Sequence, residues 1–171
     1  IEKTREILNA LPPSVITVGL FVNHNYKEIR SVIERCRFDV LQFHGAEDNA
    51  FCDSFPIPFL KAIPFVSKIE TQREAESYPN SIGVLVDSTV AGKFGGTGIS
   101  FDWANVPRGD WLLWLAGGLN VENVARAIEI TQPYAVDVSG GVESSPGVKD
   151  PELIRKFVKA VRETHKIRGA K

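Results

Sequence analysis

The stretch "LVDSTVAGKFGGTGISFDW" (85–103) ends an apolar run on one carboxylate, Asp87, and then passes through several glycines to an aromatic pair. A strand-end carboxyl among apolar neighbours is disfavoured in its charged form, so it can hold a proton and act as a general acid. Gly95, Gly96 and Gly98 let backbone N–H groups converge without side-chain obstruction, a nest suited to phosphate. Two further glycine turns, "AGGLN" (116–120) and "VSGG" (138–141), bring Gly117, Gly118, Ser139, Gly140 and Gly141. The first leads into a helix expected to start near Val121 and the second into a short helical turn. Free N–H groups at such positions hold anions. An acid beside anion-binding loops points to proton transfer on a small phosphorylated substrate. Asp137, between apolar neighbours in "AVDVS", is costly to bury without a partner, so it either contacts a ligand or anchors structure. His44 in "QFHG" ends a strand and can orient a substrate or serve structure; it is not read as the base. The bland alternatives are a helix cap or ion pair for Asp87 and a surface loop for the glycines.

Other chemistries find no support. His24, His44 and His165 fall on different elements, and neither H-E-x-x-H nor C-x-x-C spacing occurs, so no metal site is expected. No G-x-S-x-G elbow is present. Cys36 and Cys52 are both read as lying on helices and filling core, in a protein of the reducing cytoplasm. Twenty basic against 21 acidic residues give a formal charge of -1, which provides no global field for nucleic acid or a membrane surface. No 18-residue apolar run and no signal-peptide pattern occurs.

These residues need a frame that brings strand ends together. The chain alternates β-branched apolar runs with amphipathic stretches, which is the signature of βα units around a parallel sheet. Strands are expected at 16–23, 39–45, 59–64, 82–88, 111–118 and 134–141. The clearest helices are at 26–36, 121–131 and 150–166, with shorter ones in 46–55 and 69–77 and little more than one turn after residue 103. Asn23, His44, Asp87, Gly117 with Gly118, and Ser139 with Gly140 and Gly141 all fall at or just past the carboxyl ends of their strands. One ring of loops explains that better than a single switch point, so the expected fold is a (β/α)8 TIM barrel in a single domain over residues 1–171. Eight strands are required and six are legible, the first element is a helix, and the chain contains no methionine. The expectation is therefore strands 3 to 8 of the barrel, with an N-terminal segment missing and two sheet edges open.

The strings "VGLFVN", "VLQFHG", "VLVDS" followed by "GGTGISFDW", "LAGGLNVENVARAI" and "AVDVSGGVESSPGVKD" resemble phosphoribosylanthranilate isomerase over about residues 1–163. The resemblance implies an Amadori rearrangement in tryptophan biosynthesis without a cofactor. Asp87 is then the general acid, Gly95, Gly96, Gly98, Gly117, Gly118, Ser139, Gly140 and Gly141 line the phosphate site, and His44 and Asp137 face the substrate. It also implies a general-base cysteine in a Lys-Ile-Cys-Gly strand that is not among these residues. The family commonly reads Ser-Ser-Gly where this chain reads "SGG" (139–141), which loses a hydroxyl and keeps the backbone donors. The implied partners are a sugar phosphate and either a second copy or a chain that supplies the missing strands. Two rivals remain at this level: a related sugar-phosphate isomerase, and a catalytically silent barrel fragment that binds phosphate.

Overall fold

The computed structural model describes residues 1–87 and 102–169, with side chains through Thr164. Helix α1 (Glu2–Ala10) comes first, followed by β1 (Val18–Phe21), α2 (Tyr26–Ile33), β2 (Val40–Phe43), α3 (Asn49–Asp53), β3 (Phe59–Pro64), α4 (Lys68–Glu76) and β4 (Gly83–Asp87). After a 3₁₀ turn at Trp103–Asn105 come β5 (Leu113–Leu115), α5 (Val124–Thr131), β6 (Ala135–Val136), a second 3₁₀ turn at Gly140–Val142, the hairpin β7 (Glu143–Ser145) and β8 (Val148–Lys149), and α6 (Pro151–Gly169). Local chemistry sets many of the starts. Asn25 accepts from Glu28 N while the Glu28 side chain reaches back to Asn25 N, a reciprocal cap that opens α2. Asp48 and Ser67 cap α3 and α4, and Asp150 accepts from Glu152 N and Leu153 N just before Pro151.

The main sheet has six strands in the order β1-β2-β3-β4-β5-β6, and every pair is parallel. Side chains alternate between its faces. Phe21, Leu41, Phe43, Phe59, Ile63, Val84, Val86 and Leu115 pack against helix residues such as Ile29, Phe55, Ala75, Val124 and Phe157 in the large core. Val40, Leu60, Ala62, Leu85 and Ala116, with Trp114 against them, form a separate cluster on the other face, which is the inner face. Among the described residues β1 and β6 each pair with one neighbour only. There the apolar side chains stand open, with Leu20 at 55% and Tyr134 at 64% exposure. No helix among the described residues is long and apolar enough to cross a membrane.

Six expected strands are present, but several boundaries move. The fifth and sixth shrink from eight residues each to Leu113–Leu115 and Ala135–Val136. Left-handed Gly117 and Gly118 stop the fifth, and the chain turns at Ser139 into the second 3₁₀ turn after one more ladder bond, Asp137 N to Leu115 O at 2.8 Å. Helix α5 begins at Val124 rather than near Val121. Asn120 Oδ1 accepts from Glu122 N and Asn123 N, and Asn123 Oδ1 accepts from Asn120 N, so the asparagines build a turn first. Helix α2 ends at Ile33, which leaves Cys36 in the turn beyond it rather than on the helix. The β7–β8 hairpin was not expected. Its signal was "SSPGVK", with Gly147 at φ 79° in the turn.

Phe43 is fully buried and meets Phe51, Phe55 and Phe59 at ring centroid distances of 5.7–6.0 Å. Phe43→Ala is expected to cost about 3–5 kcal/mol. Urea denaturation followed by far-UV circular dichroism checks this, and a loss below about 1 kcal/mol would mean that this aromatic cluster is not the centre of the core.

Candidate active site

The inner face carries its polar residues at the carboxyl ends of alternate strands. His44 directly follows β2, Asp87 ends β4, and Asp137 directly follows β6. The main chain holds each of them: His44 N donates to Phe21 O at 2.9 Å, Asp87 O accepts from Phe65 N at 2.8 Å, and Asp137 N extends the β5–β6 ladder. Between His44 and Asp87 runs β3, whose inner face carries the small Ala62. His44 Nε2 lies 3.4 Å from Asp87 Oδ2, with the carboxylate side chain 8% exposed and the imidazole 17%. Gln42, two residues earlier on the same face, places its amide Nε2 3.3 Å from His44 Nδ1. The Gln42 amide and the Asp87 carboxyl thus meet opposite nitrogens of the imidazole, which fixes the plane of the ring between them. Burial pushes the Asp137 carboxyl above the ordinary aspartate range; the nearby Asp87 charge adds to that shift, while His44 and Lys149 oppose it. Two carboxyls and an imidazole thus share one electrostatic environment on the rim.

Beside them two glycine turns come into contact. Gly117 and Gly118 adopt φ 87° and 63°, a conformation that side chains resist. A Cβ on Gly141 would stand 1.9 Å from Leu119 O, so the turn after β6 fits against the turn after β5 only because residue 141 has no side chain. Asn123 Nδ2 donates to Gly118 O at 2.9 Å and fixes the first turn. Lys149 fixes the second: its Nζ donates to Ser139 O at 2.9 Å, to Ser139 Oγ at 3.2 Å and to Glu143 Oε1 at 2.7 Å. That bond, and a second from Gly147 N, hold the Glu143 carboxyl below its ordinary range. A half-exposed ammonium, paired with Glu143, therefore braces the Ser139-Gly140-Gly141 turn.

The structure brings together His44, Asp87 and Asp137, and separately Gly117, Gly118, Ser139, Gly140 and Gly141. Gly95, Gly96 and Gly98 lie outside the described residues. Sequence reading passed over Gln42 and Lys149, and it passed over a buried network behind the rim. Lys61, 1% exposed on the helix side of β3, donates to Gly45 O at 2.6 Å and to Glu47 Oε2 at 3.2 Å. Glu47 accepts in turn from Gly45 N at 2.8 Å and from Asn23 N at 2.6 Å. A lysine inside the apolar strand "FLKAIP", with "HGAED" following the previous strand, was the available signal. The cysteines do not reach the rim. Cys52 is buried in α3 and burial pushes its thiol up to about 12, and Cys36 is buried in the turn after α2. Among the described residues no group of three or more His, Cys, Asp or Glu side chains is arranged to hold a metal ion.

Known proteins are similar to this chain in sequence and in fold. The family model for N-(5'phosphoribosyl)anthranilate (PRA) isomerase matches residues 1–160. The N-(5'-phosphoribosyl)anthranilate isomerase of Pseudomonas fluorescens (strain Pf0-1) is 47% identical over 163 residues, which span 95% of this chain and 80% of that protein. The crystal structure of phosphoribosyl anthranilate isomerase from Thermotoga maritima superposes with a TM-score of 0.84 at 34% identity, covering 95% of this chain and 80% of that one. Another crystal structure of phosphoribosyl anthranilate isomerase, in complex with reduced 1-(o-carboxyphenylamino)-1-deoxyribulose 5-phosphate, has a TM-score of 0.78 at 34% identity and covers 95% and 79%. A match over nearly the whole chain, in sequence and in the order of the strands whose ends carry the polar rim, places this chain in the N-(5'-phosphoribosyl)anthranilate isomerase family.

Proposed function

We propose that this chain performs its family's reaction, the Amadori rearrangement of N-(5-phosphoribosyl)anthranilate to 1-(2-carboxyphenylamino)-1-deoxyribulose 5-phosphate, with Asp87 as general acid. The observation that carries the assignment is the buried Asp87 carboxyl on the inner rim, 3.4 Å from the His44 ring and on the same edge as two interlocked glycine turns. The reaction begins as the anthranilate nitrogen pushes its lone pair toward C1 and the C1–O bond of the furanose breaks. The ring oxygen takes a proton in that step, and Asp87 supplies it. A base then removes the proton at C2, and the resulting enolamine tautomerises to the ketone. The turns at Gly117-Gly118 and Ser139-Gly140-Gly141, with Lys149 beside them, hold the phosphate. Binding energy from that remote group fixes the sugar against the acid. His44 and Asp137 face the sugar and keep the acid oriented. Neither buried cysteine is placed as the base, and no other described residue is assigned to it here.

The six-stranded sheet supports reading these elements as the third to eighth strands of an eight-stranded barrel. Both edges lack a partner among the described residues, Leu20 on β1 and Tyr134 just before β6 are open there, and the solved relatives extend beyond the matched 80% of their length. Two further strands between β6 and β1 would close the ring and cover both.

Asp87→Asn is expected to lower kcat by about 10²- to 10⁴-fold with folding intact, followed by the loss of substrate fluorescence on turnover; near-normal turnover would remove Asp87 from the acid role. Gly141→Ala must displace Leu119 O, and is expected to raise KM and to cost about 1–3 kcal/mol of stability. An unchanged KM would place the phosphate elsewhere. Asp137, whose carboxyl is raised in the folded state, is bound to its proton more tightly there than in the unfolded chain. Its contribution is therefore favourable below the ordinary aspartate value of 3.8 and is lost as pH rises through the folded value. Asp137→Asn is expected to raise the melting temperature at pH 7 relative to wild type, to lose that advantage near pH 3.8, and to weaken substrate binding. Thermal melts across that range check the sign.

A further inference from the structure

The buried Lys61–Glu47 pair does not explain itself as a stabilising device. Burying two charges costs about as much as their attraction returns, and an apolar pair of equal size would serve the sheet–helix layer as well. What the pair does is specific. Both Glu47 oxygens accept backbone donors, Oε2 from Gly45 N at 2.8 Å and Oε1 from Asn23 N at 2.6 Å. Lys61 Nζ takes Gly45 O at 2.6 Å, so both polar groups of the residue directly after His44 are bound by this one pair. The clamp extends across two strand ends. Asn23, at the end of β1 with φ 54°, accepts from Ala46 N at 2.7 Å through its side chain, and a Cβ on Gly45 would strike that side chain at 2.2 Å. Glu47 is itself held from behind, where Tyr78 donates its hydroxyl to Glu47 O at 2.9 Å and Lys61 stands 5.4 Å above the Tyr78 ring. Burial works to raise the Glu47 carboxyl, yet the N–H groups of Asn23 and Gly45 and the Lys61 ammonium outweigh it and keep the group ionised.

From these contacts we infer that Glu47, held by Lys61, is a positioning residue for the reaction: it locks the peptide after His44 so that the imidazole presents Nε2 to Asp87 at the rim. The carboxylate lies on the helix side of the sheet with Lys61 and acts through the backbone of Gly45 and Asn23. Lys61, from the neighbouring strand β3, joins the N–H groups of Asn23 and Gly45 in keeping that buried carboxylate charged. The inference rests on the assignment of Asp87 as the acid and goes beyond it by saying what sets the geometry around that acid.

The test uses the full-length protein. Glu47→Gln keeps the shape of the side chain, removes its charge, and leaves it unable to accept from Asn23 N and Gly45 N together. It is expected to lower kcat about tenfold, since small misplacements of catalytic groups are costly, while KM stays within about twofold. In nitrogen-15 imidazole spectra, with the His44 signal assigned through His44→Gln, the ring nitrogens of His44 are expected to move from their wild-type positions. Glu47→Gln combined with Lys61→Met removes both charges and keeps the layer filled; it is expected to show the same loss of kcat even if its melting temperature returns to that of wild type. Wild-type kcat with an unchanged His44 signal in either variant that folds overturns the proposal, whatever happens to the melting temperature. Asp87→Asn is run beside them. Full activity there defeats the assignment of the acid, whereas loss at Asp87 with full activity in the Glu47 variants defeats only the positioning role.

Discussion

A parallel ladder can form only if each strand is followed by a crossover that carries the chain back to the same starting edge. All six strands of the main sheet obey that constraint, so every strand in it ends on one rim and every strand begins on the other. Neighbouring strand ends then stand about 5 Å apart. Side chains far apart in sequence, such as those of His44 and Asp87, meet there, and Asp137 lies near enough to feel their charges. Chemistry belongs to one edge because direction belongs to the whole sheet.

The two faces of the sheet divide the remaining work. The helix side is filled with phenylalanines and branched aliphatics and supplies most of the buried apolar contact. The inner face holds a smaller cluster capped by polar residues at the ends of alternate strands β2, β4 and β6, the layered pattern that barrel interiors adopt. A charged pair placed within the helix layer is the exception, and it lies directly behind the strand end that carries His44. The rim is thus shaped from both sides, by substrate-facing groups in front and by backbone clamps behind.

Much of this was legible in the sequence because it is periodic or local. Alternating apolar runs marked the six strands, Asp150-Pro151 marked the start of the last helix, and glycines marked the turns after β5 and β6. What was missed depends on contacts between distant residues. The late start of α5 arises from two asparagines exchanging hydrogen bonds, a geometry that competes with the helical pattern of the same residues. Lys149 reads as one more surface lysine until the hairpin brings it back to Ser139. Lys61 and Glu47 lie on different elements, and nothing in a single sequence says that they meet, although a lysine in an apolar strand always calls for a partner. The shrinking of β5 and β6 came from left-handed backbone at Gly117 and Gly118 and from the bend at Ser139.

The cysteines, silent in the chemistry, have a different use. Cys36 and Cys52 are 1% and 0% exposed and lie on either side of strand β2, one just before it and one in the helix that follows. A thiol sealed in this way reacts with an alkylating reagent only when its surroundings open, so the rate of modification at each sulphur is a clock for a separate opening event. At Cys36 the clock runs with the parting of the turn after α2 from the sheet, and at Cys52 with the lifting of α3. The native chain therefore carries its own pair of reporters, which can tell local breathing from global unfolding without a single added label.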